Sequence, residues 1–353
     1  MKRPNFMRVD RLQRLRARRT DPTDPMEKYA RANEVYDRMT ETSSAVKYAI
    51  GAMQPIDPTY THNTYNEGER VRNQLEKNLG SYSIVCDFDY QGSVTNDTHI
   101  RAKSDIDLLT LHCAFVSLEP PQKPSSPYKG NPVDDLLILR KASIRILTDR
   151  FPEATVDSTG SKSVAIEGGS LRRKIDVVAS NWRNTNEYAR TRLKRDRGIH
   201  ILDAHKRIRL PNLPFLHNDR IHNKDERTMG GLRKAIRLLK SLKYDADDGV
   251  DLSSYDIAAI VHAMEDQDLI VMKGMELVLL EKCKQFLDYL AGNQWYRESL
   301  EVPNGTRKIF CSEGASLTGL NELRREVDQL HHDIENDLTR SFRKLAEARI
   351  EYS

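Results

Sequence analysis

Residues 92–109 read Gly92-Ser93-Val94-Thr95-Asn96-Asp97-Thr98-His99-Ile100-Arg101-Ala102-Lys103-Ser104-Asp105-Ile106-Asp107-Leu108-Leu109. In a strand, residues two apart share a face, so Asp105 and Asp107 project together while Ile106 and Leu108 turn into the opposite layer. Neighbouring carboxylates resist joint ionisation unless a cation neutralises them. Hard oxygen donors suit Mg²⁺ or Mn²⁺ rather than zinc, and Mg²⁺ is commonly held by a few carboxylates together with substrate phosphates.

A third carboxylate completes the pattern. Arg173-Lys174-Ile175-Asp176-Val177-Val178-Ala179 reads as a strand carrying one Asp, able to pair beside the first. Asp105, Asp107 and Asp176 are thus the expected metal ligands and catalytic residues. Two ions about 3.5–4 Å apart could activate an attacking hydroxyl and stabilise a leaving pyrophosphate, and such phosphoryl transfer rests mostly on positioning and electrostatics. Gly92 and Ser93 lie where a strand is expected to meet a short helix. A glycine there lets a phosphate approach, and free backbone N–H groups can bind it.

Outside this segment the chain reads as an ordinary soluble protein. It has 353 residues, 38% hydrophobic and 31% charged, enough for two modest lobes. No stretch approaches the roughly 18 apolar residues of a membrane span, and no signal-peptide run opens the chain, so a cytoplasmic, membrane-free protein is expected. The basic opening run also imitates a transit peptide. Four dispersed cysteines suggest reduced, mostly buried thiols. Net charge is only +4, but basic residues cluster in 2–19, 190–209 and 233–243, giving local positive fields that attract triphosphates or nucleic acid.

The organisation expected is a flexible basic arm over 1–25, a core over 26–215 and a helical lobe over 216–353. Helices are predicted from about Met26 to Met53, Asn63 to Leu79 and Val133 to Phe151. Strands are predicted at 81–90, 106–113, 154–157, 163–167 and 173–180. Beyond Pro214 the texture turns helical, near 224–244, 254–265, 272–292 and 318–350. On the helix 231–243, Leu232, Ala235, Ile236, Leu239 and Leu242 share one side, and Arg233, Arg237, Lys240 and Tyr244 the other.

Taken together, Gly-Ser, a dozen residues, a hydrophobic-flanked Asp-x-Asp and a lone strand Asp resemble the polymerase-β nucleotidyltransferase superfamily. With residues 231–243 followed by Leu252 to His262, the chain is similar, over about 63–290, to the cGAS/DncV-like nucleotidyltransferases and the oligoadenylate synthetases. The resemblance implies an α/β (α+β) fold: a polymerase-β-like palm with a mixed sheet, an N-terminal helix crossing both lobes, and a helical C-terminal lobe closing over a cleft. It implies that Lys240 contacts the triphosphate and that Ser254 and Tyr255 touch phosphate and nucleobase. Read without the resemblance, Lys240 is a solvent-facing lysine and Ser254 an N-cap.

The family's bacterial members make cyclic or short linear oligonucleotides that alarm antiviral (CBASS) effectors, some with regulatory protein partners. Nucleoside triphosphates such as ATP or GTP are then the expected substrates. The His/Cys zinc thumb of the metazoan DNA sensor has no counterpart here, so direct activation by DNA is not expected. Two other readings stay open: a nucleotidyltransferase acting on tRNA or another macromolecule, whose basic runs would grip phosphates, and a non-catalytic nucleotide-binding module.

Overall fold

The computed structural model describes residues 6–21, 34–39 and 43–350. In chain order its helices and strands are α1 (Phe6–Arg19), α2 (Val35–Arg38), α3 (Ser44–Met53), α4 (Pro58–Leu79), β1 (Cys86–Gln91), β2 (Ile106–Leu118), α5 (Pro132–Arg150), β3 (Thr155–Asp157), β4 (Val164–Gly168) and β5 (Leu171–Asn184). There follow α6 (Asn186–Thr191), β6 (Gly198–Asp203), β7 (Ile208–Asn212), α7 (Pro214–Arg227), α8 (Gly231–Asp245), α9 (Ser254–His262), α10 (Asp266–Leu269), α11 (Leu277–Gly292), α12 (Gln294–Ser299) and α13 (Leu317–Ile350).

The residues group into two compact units: residues 57–99 with 103–222, and residues 1–56 with 100–102 and 223–353. The division falls inside α7 rather than at the Pro211–Pro214 stretch. The described residues among 6–56, a stretch expected as an arm followed by part of the core, group with the C-terminal helices.

The first unit is built on one mixed sheet of order β1-β2-β5-β4-β3, with β6 on the second half of β5 and β7 beyond β6. β2 and β5 run parallel and the other pairs antiparallel. Alternation sorts the side chains. Ile106, Leu108, Ile175 and Val177 bury against Val71, Leu75, Leu139 and Ile146 of α4 and α5. On the other face, Leu109, Leu111, Val178, Trp182 and Ile199 form a smaller cluster with Phe215. α4 starts at Pro58, earlier than expected, because Asp57 caps it by accepting from Thr59 N. Pro211 sits in the outermost strand β7, where a missing N–H is tolerated.

In the second unit α3 packs on α1 and α8, and α11 on α13. α1 is a helix and not a flexible arm. Buried Arg18 donates to both carboxylate oxygens of buried Asp245, at 2.6 and 2.5 Å, and Tyr48 Oη donates to the same carboxylate at 2.7 Å. Of the helix expected from Met26, residues 22–33 and 40–42 lie outside the described residues. The helix expected over 224–244 breaks at Met229 and Gly230, both at positive φ (51° and 84°). The four thiols are free, but Cys113 and Cys311 are exposed and not buried.

Candidate active site

Asp107 lies on β2 directly opposite Asp176 on the parallel strand β5. Alternation turns both away from the α4/α5 core, on the face shared with Leu109 and Val178. Asp105 ends the loop one residue before β2. Burial first, then the charges of Asp176 and Asp105, push the Asp107 carboxyl up to about 7, with Lys174 pulling it back. The two oxygens of Asp176 have separate partners: Ser163 Oγ donates to Oδ1 at 3.1 Å and Lys174 Nζ to Oδ2 at 2.9 Å.

Gly92 follows β1 at φ +98°, and a Cβ there would lie 2.8 Å from Asp107 Oδ2. Only a residue lacking that atom leaves the carboxylate accessible from this side. The short helix expected after Ser93 is a run of turns, in which Asp97 N donates to Val94 O and Thr98 N to Ser93 O. Ser93 is part-exposed at its start.

The donor set fits a divalent cation. Three carboxylates, one of them pushed up by burial and then by the other two, gain most from a hard cation. Among the described residues no three or more acidic, histidine or cysteine side chains are grouped closely enough to hold a metal ion by themselves.

The other expected site residues belong to the second unit. Lys240 is 6% exposed, so the solvent-facing alternative fails. Burial, then Arg101, Arg237 and Lys243, push its ammonium down to about 8. Arg237 is buried as well, its Nε donating to Met53 O at the end of α3. On the cationic side of α8, Arg237 and Lys240 are therefore packed, while Tyr244 is exposed. Ser254 is exposed at the start of α9, and the cap is Ser253, whose hydroxyl accepts from Asp256 N. Tyr255 donates to Asn304 Oδ1 at 3.1 Å, with the Arg307 guanidinium 5.4 Å from its ring centroid. Sequence reasoning passed over Lys174 and Ser163. Lys174 was within reach, two residues before Asp176 and hence on its face; Ser163 joins only through the pairing of Ala165 with Asp176.

No protein-family model matches the chain. It is 40% identical over 297 residues to a cyclic dinucleotide synthase CdnE of Yersinia aleksiciae, covering 81% of this chain and 78% of that one. It is 28% identical over 320 residues to a c-di-GMP synthase of Lachnospiraceae bacterium (strain RUG226), covering 83% and 89%. Its fold matches that of a STING-associated CdnE c-di-GMP synthase from Flavobacteriaceae sp. with a TM-score of 0.78, at 24% identity and covering 95% and 99%. The chain belongs to the cGAS/DncV-like nucleotidyltransferases of the antiviral CBASS type, enzymes that join nucleoside triphosphates into a cyclic oligonucleotide second messenger.

Proposed function

We propose that the chain makes a cyclic dinucleotide from ribonucleoside triphosphates with Mg²⁺ or Mn²⁺ held by Asp105, Asp107 and Asp176. The observation that carries this is the pairing of Asp107 with Asp176 on adjacent parallel strands, with Asp105 one residue before the strand that bears Asp107. When bound, divalent ions neutralise these carboxylates, lower the pKa of a coordinated hydroxyl and draw charge from the departing pyrophosphate.

The chain's own groups do the rest. Gly92 keeps the approach to Asp107 open, and Ser93 offers its hydroxyl and N–H to a phosphate. Asp176 orients the attacking ribose hydroxyl and receives its proton as oxygen bonds to the α-phosphorus. The bond from that phosphorus to the bridging oxygen breaks, and pyrophosphate leaves. A second attack, by the other nucleotide's hydroxyl on the remaining α-phosphorus, gives up its proton, breaks that phosphorus's bond to its bridging oxygen, releases a second pyrophosphate and closes the ring. Lys240 is a phosphate ligand in this reading, a buried ammonium pushed down to about 8 whose charged form a bound anion would favour. Ser254 and Tyr255 are proposed to contact nucleotide through hydroxyl and ring.

The test is incubation with the four ribonucleoside triphosphates and either metal, with phosphatase-resistant products identified by mass spectrometry. A cyclic dinucleotide absent from an Asp105→Ala/Asp107→Ala control supports the assignment. An equal yield from that control rejects it.

A further inference from the structure

Asp176 is gripped by a device that the reaction as described does not use. Arg140, on α5 and 7% exposed, gives its guanidinium to three backbone carbonyls of the β3–β4 turn: Nη1 to Ser163 at 2.8 Å, and Nη2 to Ser158 at 2.8 Å and Gly160 at 2.6 Å. A planar fork with fixed donor directions pins a backbone better than a flexible ammonium could. The turn so held ends at Ser163, whose hydroxyl donates to Asp176 Oδ1. The register is set next door, where Ala165 pairs with Asp176 and Val164 with Val177.

A carboxylate's terminal torsion is broad and nearly two-fold, so an aspartate on a strand does not by itself hold its oxygens in one direction. Lys174 meets the other oxygen from a flexible stem with 34% of its side chain exposed, and an ammonium rotates with the carboxylate it binds. Ser163 is the partner on a fixed backbone.

We propose that Ser163, held by Arg140, is a positioning residue for Asp176, its hydroxyl fixing the carboxylate so that the remaining lone pairs keep a constant direction beside Asp107. The inference rests on the reading of Asp176 as the third carboxylate of the site. A hydroxyl that bonds one lone pair of Oδ1 leaves both oxygens able to accept elsewhere. Groups that orient ligating carboxylates are typically worth roughly 10–100-fold in metal affinity or activity.

The test compares Ser163→Ala, Ser163→Thr, Thr159→Ala and Asp176→Asn in the full chain. Steady-state turnover gives kcat and KM, and Mn²⁺ binding is read by the EPR signal of the free ion. Ser163→Ala is expected to lower kcat and weaken Mn²⁺ binding by about tenfold each, with KM for nucleotide unchanged. Ser163→Thr, which keeps the hydroxyl, restores both. Thr159→Ala removes a bond to Asp157 within the same turn and leaves both at the wild-type level.

Wild-type kcat and Mn²⁺ binding in Ser163→Ala would overturn the proposal. So would a loss that threonine does not restore, or one that Thr159→Ala shares, since the shape of the turn would then be responsible. An Asp176→Asn enzyme of full activity would instead remove the underlying reading of Asp176. An inactive Asp176→Asn beside a normal Ser163→Ala rejects only the role of Ser163.

Discussion

Lys240, proposed above as a phosphate ligand, shows how a buried charge can act against stability. Its ammonium is held at about 8 when folded against the ordinary 10.5, so the folded chain binds fewer protons across that window. Stability contributed by this group therefore rises as pH climbs from 8 to 10.5, and the cost is full below 8. Lys240→Met should stabilise the nucleotide-free protein at pH 7 by up to about 3 kcal/mol and should lose that rise. Denaturant midpoints of both proteins at pH 7 and pH 10 measure the difference. The same variant should bind triphosphate at least roughly tenfold more weakly, the loss of a charge-assisted bond. Asp107 is the opposite case, a group whose loss the reaction should not survive. Asp107→Asn keeps the shape but removes the negative charge, and turnover measured by pyrophosphate release should fall on the order of 10³-fold.

Between β1 and β2 the chain must turn at Gly92, and the turn's geometry is itself a prediction. Gly92→Ala combines φ +98° with a Cβ 2.8 Å from Asp107 Oδ2. The strain should cost about 1–3 kcal/mol, and turnover should drop far more than that because the carboxylate is displaced; thermal melting and a pyrophosphate assay separate the two. At the head of α9 the neighbouring serines should divide in the same way. Ser253→Ala should lower stability by about 1 kcal/mol, whereas Ser254→Ala should leave the melting temperature in place and raise KM. At this scale much was legible. Period-two alternation located β2 and β5 and turned Asp107 away from Ile106 and Leu108, because the pattern depends only on local backbone geometry, although Asp105, expected beside Asp107 in the strand, lies in the loop before it. What escaped was pairing. Ser163 reaches Asp176 across two strands, β7 was hidden by Pro211, and the helix expected after Ser93 gave way to turns carrying Asp97 at positive φ.

Across the whole molecule the sequence distinguished a sheet-bearing half from a helical half, but not which helices belong with which. Residues 2–19 look like a solvated basic arm because the acid that claims Arg18 is Asp245, 227 positions away. No local pattern marks such a partner. Replacing Asp245 by Ala strands the buried Arg18 charge and frees Tyr48 Oη, and should cost about 3–5 kcal/mol. Helical circular dichroism in a denaturant series reads that loss.

The grouping of residues 1–56 with 223–353 also has a consequence for biosynthesis. A ribosome adds about 5–20 residues per second, so Arg18 emerges on the order of 10–45 s before Asp245 exists. Over that interval the segment 57–222 is completed and has every strand of its sheet, while the earliest helix still presents Leu12 and Leu15 without the neighbours that later bury them. The nascent chain thus passes through a stage with a finished insert and an unfinished host, and slow translation beyond residue 222 should increase its capture by chaperones.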